Sequence, residues 1–170
     1  MNAKALAVIA AALLSGSAMA QDQNTRSASF VDAKGQGAGS AELTAAAAGG
    51  VIIRLDLTGL PAGEWVAFHV HETGACDPST GHKSAGGHFN PGSKEHGYNA
   101  ANGPHAGDMP NQQVAGDGSI RAEVYNPMVT LDEAETGIVG RALMIHAGPD
   151  DYKSQPSGDA GDRLACAVIE

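Results

Sequence analysis

Alternation is the clearest regularity along the chain. In Val51 to Leu57, the apolar Ile53, Leu55 and Leu57 share one parity, and Arg54 and Asp56 fall between them. Trp65 to His71 alternates in the same way. Ser119 to Tyr125 sets Ile120, Ala122 and Val124 opposite Arg121 and Glu123, and Ile138 to His146 is a further strand-like run. Successive side chains of a strand point to opposite faces. A period of two with one polar face therefore predicts half-buried antiparallel strands. Turn residues punctuate these runs at Gly49-Gly50, Gly59-Leu60-Pro61-Ala62-Gly63, Gly116-Asp117-Gly118 and Gly148-Pro149. Short strands at this spacing predict an all-β fold, a sandwich or barrel. Ala45 to Ala48 reads as a strand edge or hairpin tip rather than a helical turn, because Gly49-Gly50 follows at once. Residues 72–111 lose the strand period and mix Gly, His, Pro, Asn and Ser, and a long irregular loop in a compact domain is usually functional. No second domain, linker or internal repeat is visible.

Composition narrows the class. At 170 residues, 42% hydrophobic and 17% charged, the chain suits one folded domain and is too apolar for a wholly disordered one. Its formal charge of −9 has the wrong sign for neutralising phosphates, which disfavours nucleic acid and anionic membrane surfaces as partners. Met1 to Ala20 reads as a signal peptide: Lys4, an apolar stretch from Ala5 to Leu14, then Ala18-Met19-Ala20 as the small-x-small cleavage site. Cleavage would leave residues 21–170 as the mature domain, with no membrane attachment and a charge of −10, since Lys4 departs and no acidic residue does. A domain of about 150 residues can bury roughly 68–70% of the surface its unfolded chain exposes. In an exported chain the default for the pair Cys76 and Cys166 is a disulfide, with two buried thiols as the alternative. Closing a loop of about 90 residues is worth roughly 4–5 kcal/mol in the chain-entropy account.

The candidate chemistry lies in the histidines. His69-Val70-His71 puts two imidazoles on one face of a strand, close enough to share a metal ion. Downstream come His88, His96 and the His105-Ala106-Gly107-Asp108 pair, then His146 at a strand end. Three imidazoles with a carboxylate suit tetrahedral zinc, and imidazole also suits copper. Glu72 follows His71, but no histidine completes an HExxH, so a zinc-protease reading fails.

With those motifs in view, the chain closely resembles the copper/zinc superoxide dismutases in their exported bacterial form. The resemblance runs through Gly59-Leu60-Pro61, Phe68-His69-Val70-His71, Ser84 to Pro91, His96-Gly97, His105 to Asp108, Gly140 to His146 and Gly158 to Cys166. It implies a Greek-key β-sandwich or barrel with long metal-binding loops. It also implies copper on His69, His71, His88 and His146, and zinc on His88, His96, His105 and Asp108, with His88 bridging both. Arg163 resembles the arginine that holds the anionic substrate beside copper, and Asp150 the carboxylate tying His69 to His96. Cys76 and Cys166 match the family disulfide that pins the metal loop to the barrel.

The activity implied is dismutation of superoxide to dioxygen and hydrogen peroxide in the periplasm, an antioxidant role. Bacterial members differ between monomer and dimer, so a homodimer stands beside a monomer as the expected assembly. Two other classes compete: a copper store or carrier without turnover, and a structural sandwich with a zinc-stapled loop. Retention of every ligand and of Arg163 argues against the first. His69, His71 and His146 would lack a purpose in the second. His82 has no counterpart in the family pattern and is expected to be a solvated loop residue, and Arg54, Arg121 and Arg141 are expected on solvated strand faces. Ala67 stands where the family has glycine, a change between small residues.

Overall fold

The computed structural model describes residues 24–170; the expected signal peptide lies outside them. Among the described residues nine strands form: β1 (Thr25–Asp32), β2 (Gly37–Ala45), β3 (Val51–Leu57), β4 (Trp65–Val66), β5 (Phe68–His71), β6 (Gln112–Gln113), β7 (Ile120–Asn126), β8 (Ala142–His146) and β9 (Arg163–Val168). Two single turns of 3-10 helix, Pro78–Thr80 and Lys83–Ala85, interrupt the long loop after β5. Seven strands make one curled sheet in the order β5-β8-β9-β1-β2-β3-β7, antiparallel at every pairing. From β3 the chain crosses to the far edge as β5, returns beside β3 as β7, and crosses again as β8. These are Greek-key connections. β4 immediately precedes β5, β6 leads into β7, and β4 pairs with β6. That pairing draws the two edges of the sheet toward each other. No helix among the described residues is long and apolar enough to cross a membrane.

The alternation in β3 is realised as written: Val51, Ile53, Leu55 and Leu57 are buried, while Arg54 and Asp56 are exposed. Arg54 pairs with Glu123 at 2.8 Å and Glu42 at 3.3 Å on the solvent face, where such pairs contribute little. Ala45 ends β2 and Ala46 to Gly50 make the expected hairpin tip, closed by Gly49 N–H to Ala46 C=O at 2.9 Å. Two expected runs are shorter than drawn. Trp65 to His71 breaks at Ala67, whose N–H goes to Gly148 C=O and whose C=O accepts from His146 N–H. Ile138 to His146 becomes a strand only from Ala142, because Gly140 turns with φ 77°.

Arg141 is not on a solvated strand face. It precedes β8, is half-buried, stacks on the Phe89 ring at 3.8 Å, and donates to the Gly137 and Glu72 carbonyls. His82 is also corrected. It is fully buried, because the loop folds inward there rather than lying in solvent.

β5 and β8 are buried on both faces. Phe68, Val70, Leu143 and Ile145 join the main core. The opposite parity carries His69 and His71, paired with Met144 and Ala142. Every second residue of a half-buried strand would normally meet water; here the loops 72–111 and 147–162 cover that face, and the polar residues on it are histidines.

Candidate metal centre

Backbone pairing positions the ligand-bearing loop. Val70 N–H donates to Gly107 C=O at 2.8 Å, Phe89 N–H to Val70 C=O at 2.8 Å, and Gly107 N–H to Phe89 C=O at 2.9 Å. Single bridges set Asp108 beside His69 and His88 beside His71. Gly107 is required by close approach, since a Cβ there would run into the Val70 carbonyl. The Cys76–Cys166 disulfide, with Cα atoms 5.5 Å apart, ties the start of this loop to β9.

Two groups of four side chains converge. The ligand atoms of His69, His71, His88 and His146 all lie within 4.8 Å of one another, and so do those of His88, His96, His105 and Asp108. All seven residues are buried. His88 belongs to both groups: its Nδ1 is 2.9 Å from Asp108 Oδ1, while its Nε2 has no hydrogen-bond partner and faces the other three rings.

The donor set fits metal ions. Around Asp108 Oδ1 stand the Nδ1 atoms of His88 at 2.9 Å, His96 at 3.1 Å and His105 at 3.3 Å. A tetrahedral zinc with bonds of about 2.0–2.1 Å needs ligand atoms about 3.3 Å apart. In the other group, His71 Nε2 and His146 Nε2 face each other at 3.3 Å. His69 Nδ1, His88 Nε2 and His105 Nδ1 are buried without a hydrogen-bond partner. A buried orphan nitrogen costs about 1–3 kcal/mol, and three lone pairs aimed into two foci are what a cation would satisfy.

Asp150 joins the groups from outside. Its Oδ2 lies 3.0 Å from His69 Nε2 and its Oδ1 2.9 Å from His96 Nε2. These contacts fix both ring tautomers, leaving each Nδ1 free to ligate. Asn111 clamps the Asp150 backbone on both sides, at 2.8 and 2.9 Å, and Tyr152 N–H donates to Oδ1 at 2.6 Å. Gly158 packs against this carboxylate so closely that any Cβ would collide with it. Gln155 holds the His96 main chain through both of its amide atoms, and the Tyr98 hydroxyl donates to Asp108 C=O. Asn111, Gln155, Tyr98 and Tyr152 carry no sequence signal, and Gly158 carries one only as the start of the family-like stretch to Cys166. They act by position, and only the folded loops show it.

The electrostatics follow from burial and these carboxylates. Burial depresses His71 to about 2, His88 to about 4 and His146 to about 3, and it lowers His69 as well. These rings therefore keep their lone pairs well into acid. His96 goes the other way: burial opposes it, but hydrogen bonds and charge from Asp108 and Asp150 raise it to about 9. Burial pulls Asp108 upward, yet the close His105, His88 and His96 rings and the Gly97 N–H hold it far below the ordinary carboxylate range.

Arg163 reaches this face through an irregularity. The β8–β9 register pairs Ile145 with Ala165 and then His146 with Arg163, so Leu164 is an extra residue. Such a bulge re-aims a side chain. The half-buried guanidinium donates from Nη1 to His82 C=O at 2.7 Å and from Nη2 to Gly86 C=O at 2.6 Å. Gly86 C=O also accepts from His71 Nδ1 at 3.0 Å.

A family model described as copper/zinc superoxide dismutase matches residues 37–169. A Cu-Zn superoxide dismutase of Aquifex aeolicus is 47% identical over 166 residues, spanning 95% of this chain and 96% of that one. One from Caulobacter vibrioides is 40% identical over 142 residues, 80% of each chain. Among solved structures, a double mutant of a superoxide dismutase-like protein from Bacillus subtilis superposes with a TM-score of 0.80 at 37% identity, covering 83% of this chain and 94% of that one. The Cu/Zn superoxide dismutase of Brucella abortus superposes with 0.71 at 29% identity, covering 86% and 99%.

Proposed function

The chain belongs to the copper/zinc superoxide dismutase family, with dismutation of superoxide as its activity and copper and zinc as its cofactors, and from that premise we propose how its residues divide the work. His69, His71, His88 and His146 hold copper; His88, His96, His105 and Asp108 hold zinc. The observation that carries this division is the single ring of His88, whose two nitrogens face two different ligand sets. When bound, copper supplies a one-electron redox couple and zinc a fixed positive charge without redox chemistry of its own.

The chain's own groups supply the rest. Of the seven cluster residues His88, His105 and His146 are the most open to solvent, at 8%, 7% and 4% of their surface. The way in therefore suits a very small substrate such as superoxide. Arg163 offers a permanent charge and a planar donor fork beside His146. Two of its donors are spent on carbonyls, and the others remain for the anion. Dismutation consumes two protons for every two superoxide ions. His88 Nε2, buried and without a hydrogen-bond partner, is the atom at which a proton can be held and passed to departing peroxide. Asp150 keeps the His69 and His96 rings in the tautomers this requires. We place the enzyme in the periplasm, a reading supported by the leader-like first twenty residues and by the disulfide.

The bridge is tested with cobalt in the zinc position and cupric copper in the other. An imidazolate shared by two paramagnetic ions couples their spins, so the copper EPR signal should be suppressed and should return in His88→Ala. A full-intensity copper signal in the unaltered protein would contradict a shared His88.

A further inference from the structure

His82 is the histidine that neither cluster uses. It is fully buried, and neither ring nitrogen has a hydrogen-bond partner. Its backbone is left-handed, with φ 59° and ψ 16°, directly after Gly81 with φ 60°. A side chain in that conformation costs about 1–2 kcal/mol that glycine would not incur. Unpartnered buried polar atoms add about 1–3 kcal/mol more. Such costs persist where the surroundings over-determine a residue, and they cluster where position matters.

The surroundings are specific. His82 N–H donates to Asp77 C=O at 2.9 Å, and its own C=O accepts from Ala85 N–H at 3.1 Å and from Arg163 Nη1 at 2.7 Å. The turn lies against the hairpin between β1 and β2: a Cβ on Gly35 at the hairpin tip would sit 3.5 Å from the Pro78 ring, and the charge of Asp32 acts on the His82 ring. That hairpin is itself joined to β9 by Ala33 N–H to Leu164 C=O at 3.2 Å. Burial lowers the proton affinity of the ring and the charge of Arg163 lowers it further, outweighing the opposite pull of Asp32 and Asp77.

We propose that His82 is a positioning residue for the dismutase reaction: its buried ring keys the 77–86 turn beneath the β1–β2 hairpin, so that the carbonyls of His82 and Gly86 hold the Arg163 guanidinium in its anion-binding orientation. The two carbonyls take one nitrogen each of the fork and so fix its plane. Because Gly86 C=O also holds His71 Nδ1, a shift of the turn would move the arginine and one ring of the first cluster together. This rests on Arg163 being the anion-holding group of the proposed site.

The test compares His82→Gly, Arg163→Ala and the double variant, all loaded with metal and checked for copper and zinc content. His82→Gly keeps the left-handed backbone without strain and removes only the key. It should load both metals normally, yet bind azide at the cupric site about tenfold more weakly and lose about tenfold in kcat/KM. In the zinc-loaded, copper-free protein, the Arg163 Nη protons should be resolved by NMR and should average on His82→Gly. The double variant should be no worse than Arg163→Ala. If His82→Gly does not load metal, His82→Asn, which also tolerates the left-handed region, is read by the same outcomes. Azide affinity and Arg163 resonances unchanged in the His82 variant, with Arg163→Ala impaired, would overturn the proposal, as would fully additive losses. An Arg163→Ala protein with unaltered azide affinity and rate would instead remove the reading of Arg163 itself.

Discussion

Replacing Asp150 by asparagine should weaken copper binding more than zinc binding, and the reason lies in one backbone hydrogen bond. The carboxylate accepts from His69 through Oδ2 and from His96 through Oδ1. An amide keeps one of these oxygens and turns the other into a donor. Tyr152 N–H donates to Oδ1 at 2.6 Å, so that atom must remain the oxygen. The NH2 group then falls opposite His69 Nε2, donor against donor. Either His69 keeps its proton at Nε2, buried and unpartnered, or the proton moves to Nδ1, the atom that would ligate copper in the proposed set. The cost of such an orphan is about 1–3 kcal/mol, which is roughly 5- to 150-fold in affinity. The zinc side keeps its His96 contact and loses only the negative charge. Competitive chelator titrations of each metal, on proteins carrying the other, measure the two affinities. A fall in zinc affinity equal to or larger than that in copper affinity would refute this reasoning, as would no change in either.

Stability of the metal-free protein should pass through a maximum near pH 6.5, followed by urea denaturation between pH 5 and 9. His96, raised to about 9, contributes stability that is fully present below its unfolded value of 6.5 and is lost as pH rises through 9. His88 and His146, lowered to about 4 and 3, contribute stability that is present above 6.5 and lost as pH falls toward those values. A monotonic profile would contradict these environments. Zinc loading at pH 7.5 should release about one proton, from His96, seen as a calorimetric heat that varies with buffer ionisation enthalpy. Replacing both cysteines by serine should cost about 2–5 kcal/mol of unfolding free energy; a change below about 0.5 kcal/mol would mean that the 76–88 segment is held without the bridge.

How much of this was legible beforehand depended on where the determining contacts lie. β3 and β7 could be read because their burial alternates with large residues, Ile53, Leu55 and Leu57 against Ile120 and Val124. β1, β2 and β9 could not. Their inward positions include Ala28, Ala38, Ala41, Ala165 and Ala167, too small to mark a period. In β2 the bulge at Ala38, beside Gly39 with φ 118°, also breaks the phase. The residues of the two converging clusters were legible because metal chemistry restricts residue type: histidine and aspartate at those intervals have few other uses. The residues that support them, Asn111, Gln155 and Gly158, act through backbone proximity across 39 to 59 positions or through the absence of a side chain. His82 was misread for the same reason. Its neighbours in sequence are polar, but its burial is set by the β1–β2 hairpin, fifty positions earlier.

The formal charge of −9 repels superoxide as a whole, so the account requires that local positive charge, from two metal ions and Arg163, governs capture. A redox copper coupled to zinc in one compact centre is the core of the proposed chemistry. Copper content, zinc content and cyanide-sensitive superoxide dismutation, measured on one purified sample, test it directly. Both metals in equal amounts, with robust activity abolished by cyanide, are expected. A sample rich in zinc, unable to retain added copper and inactive, would contradict it.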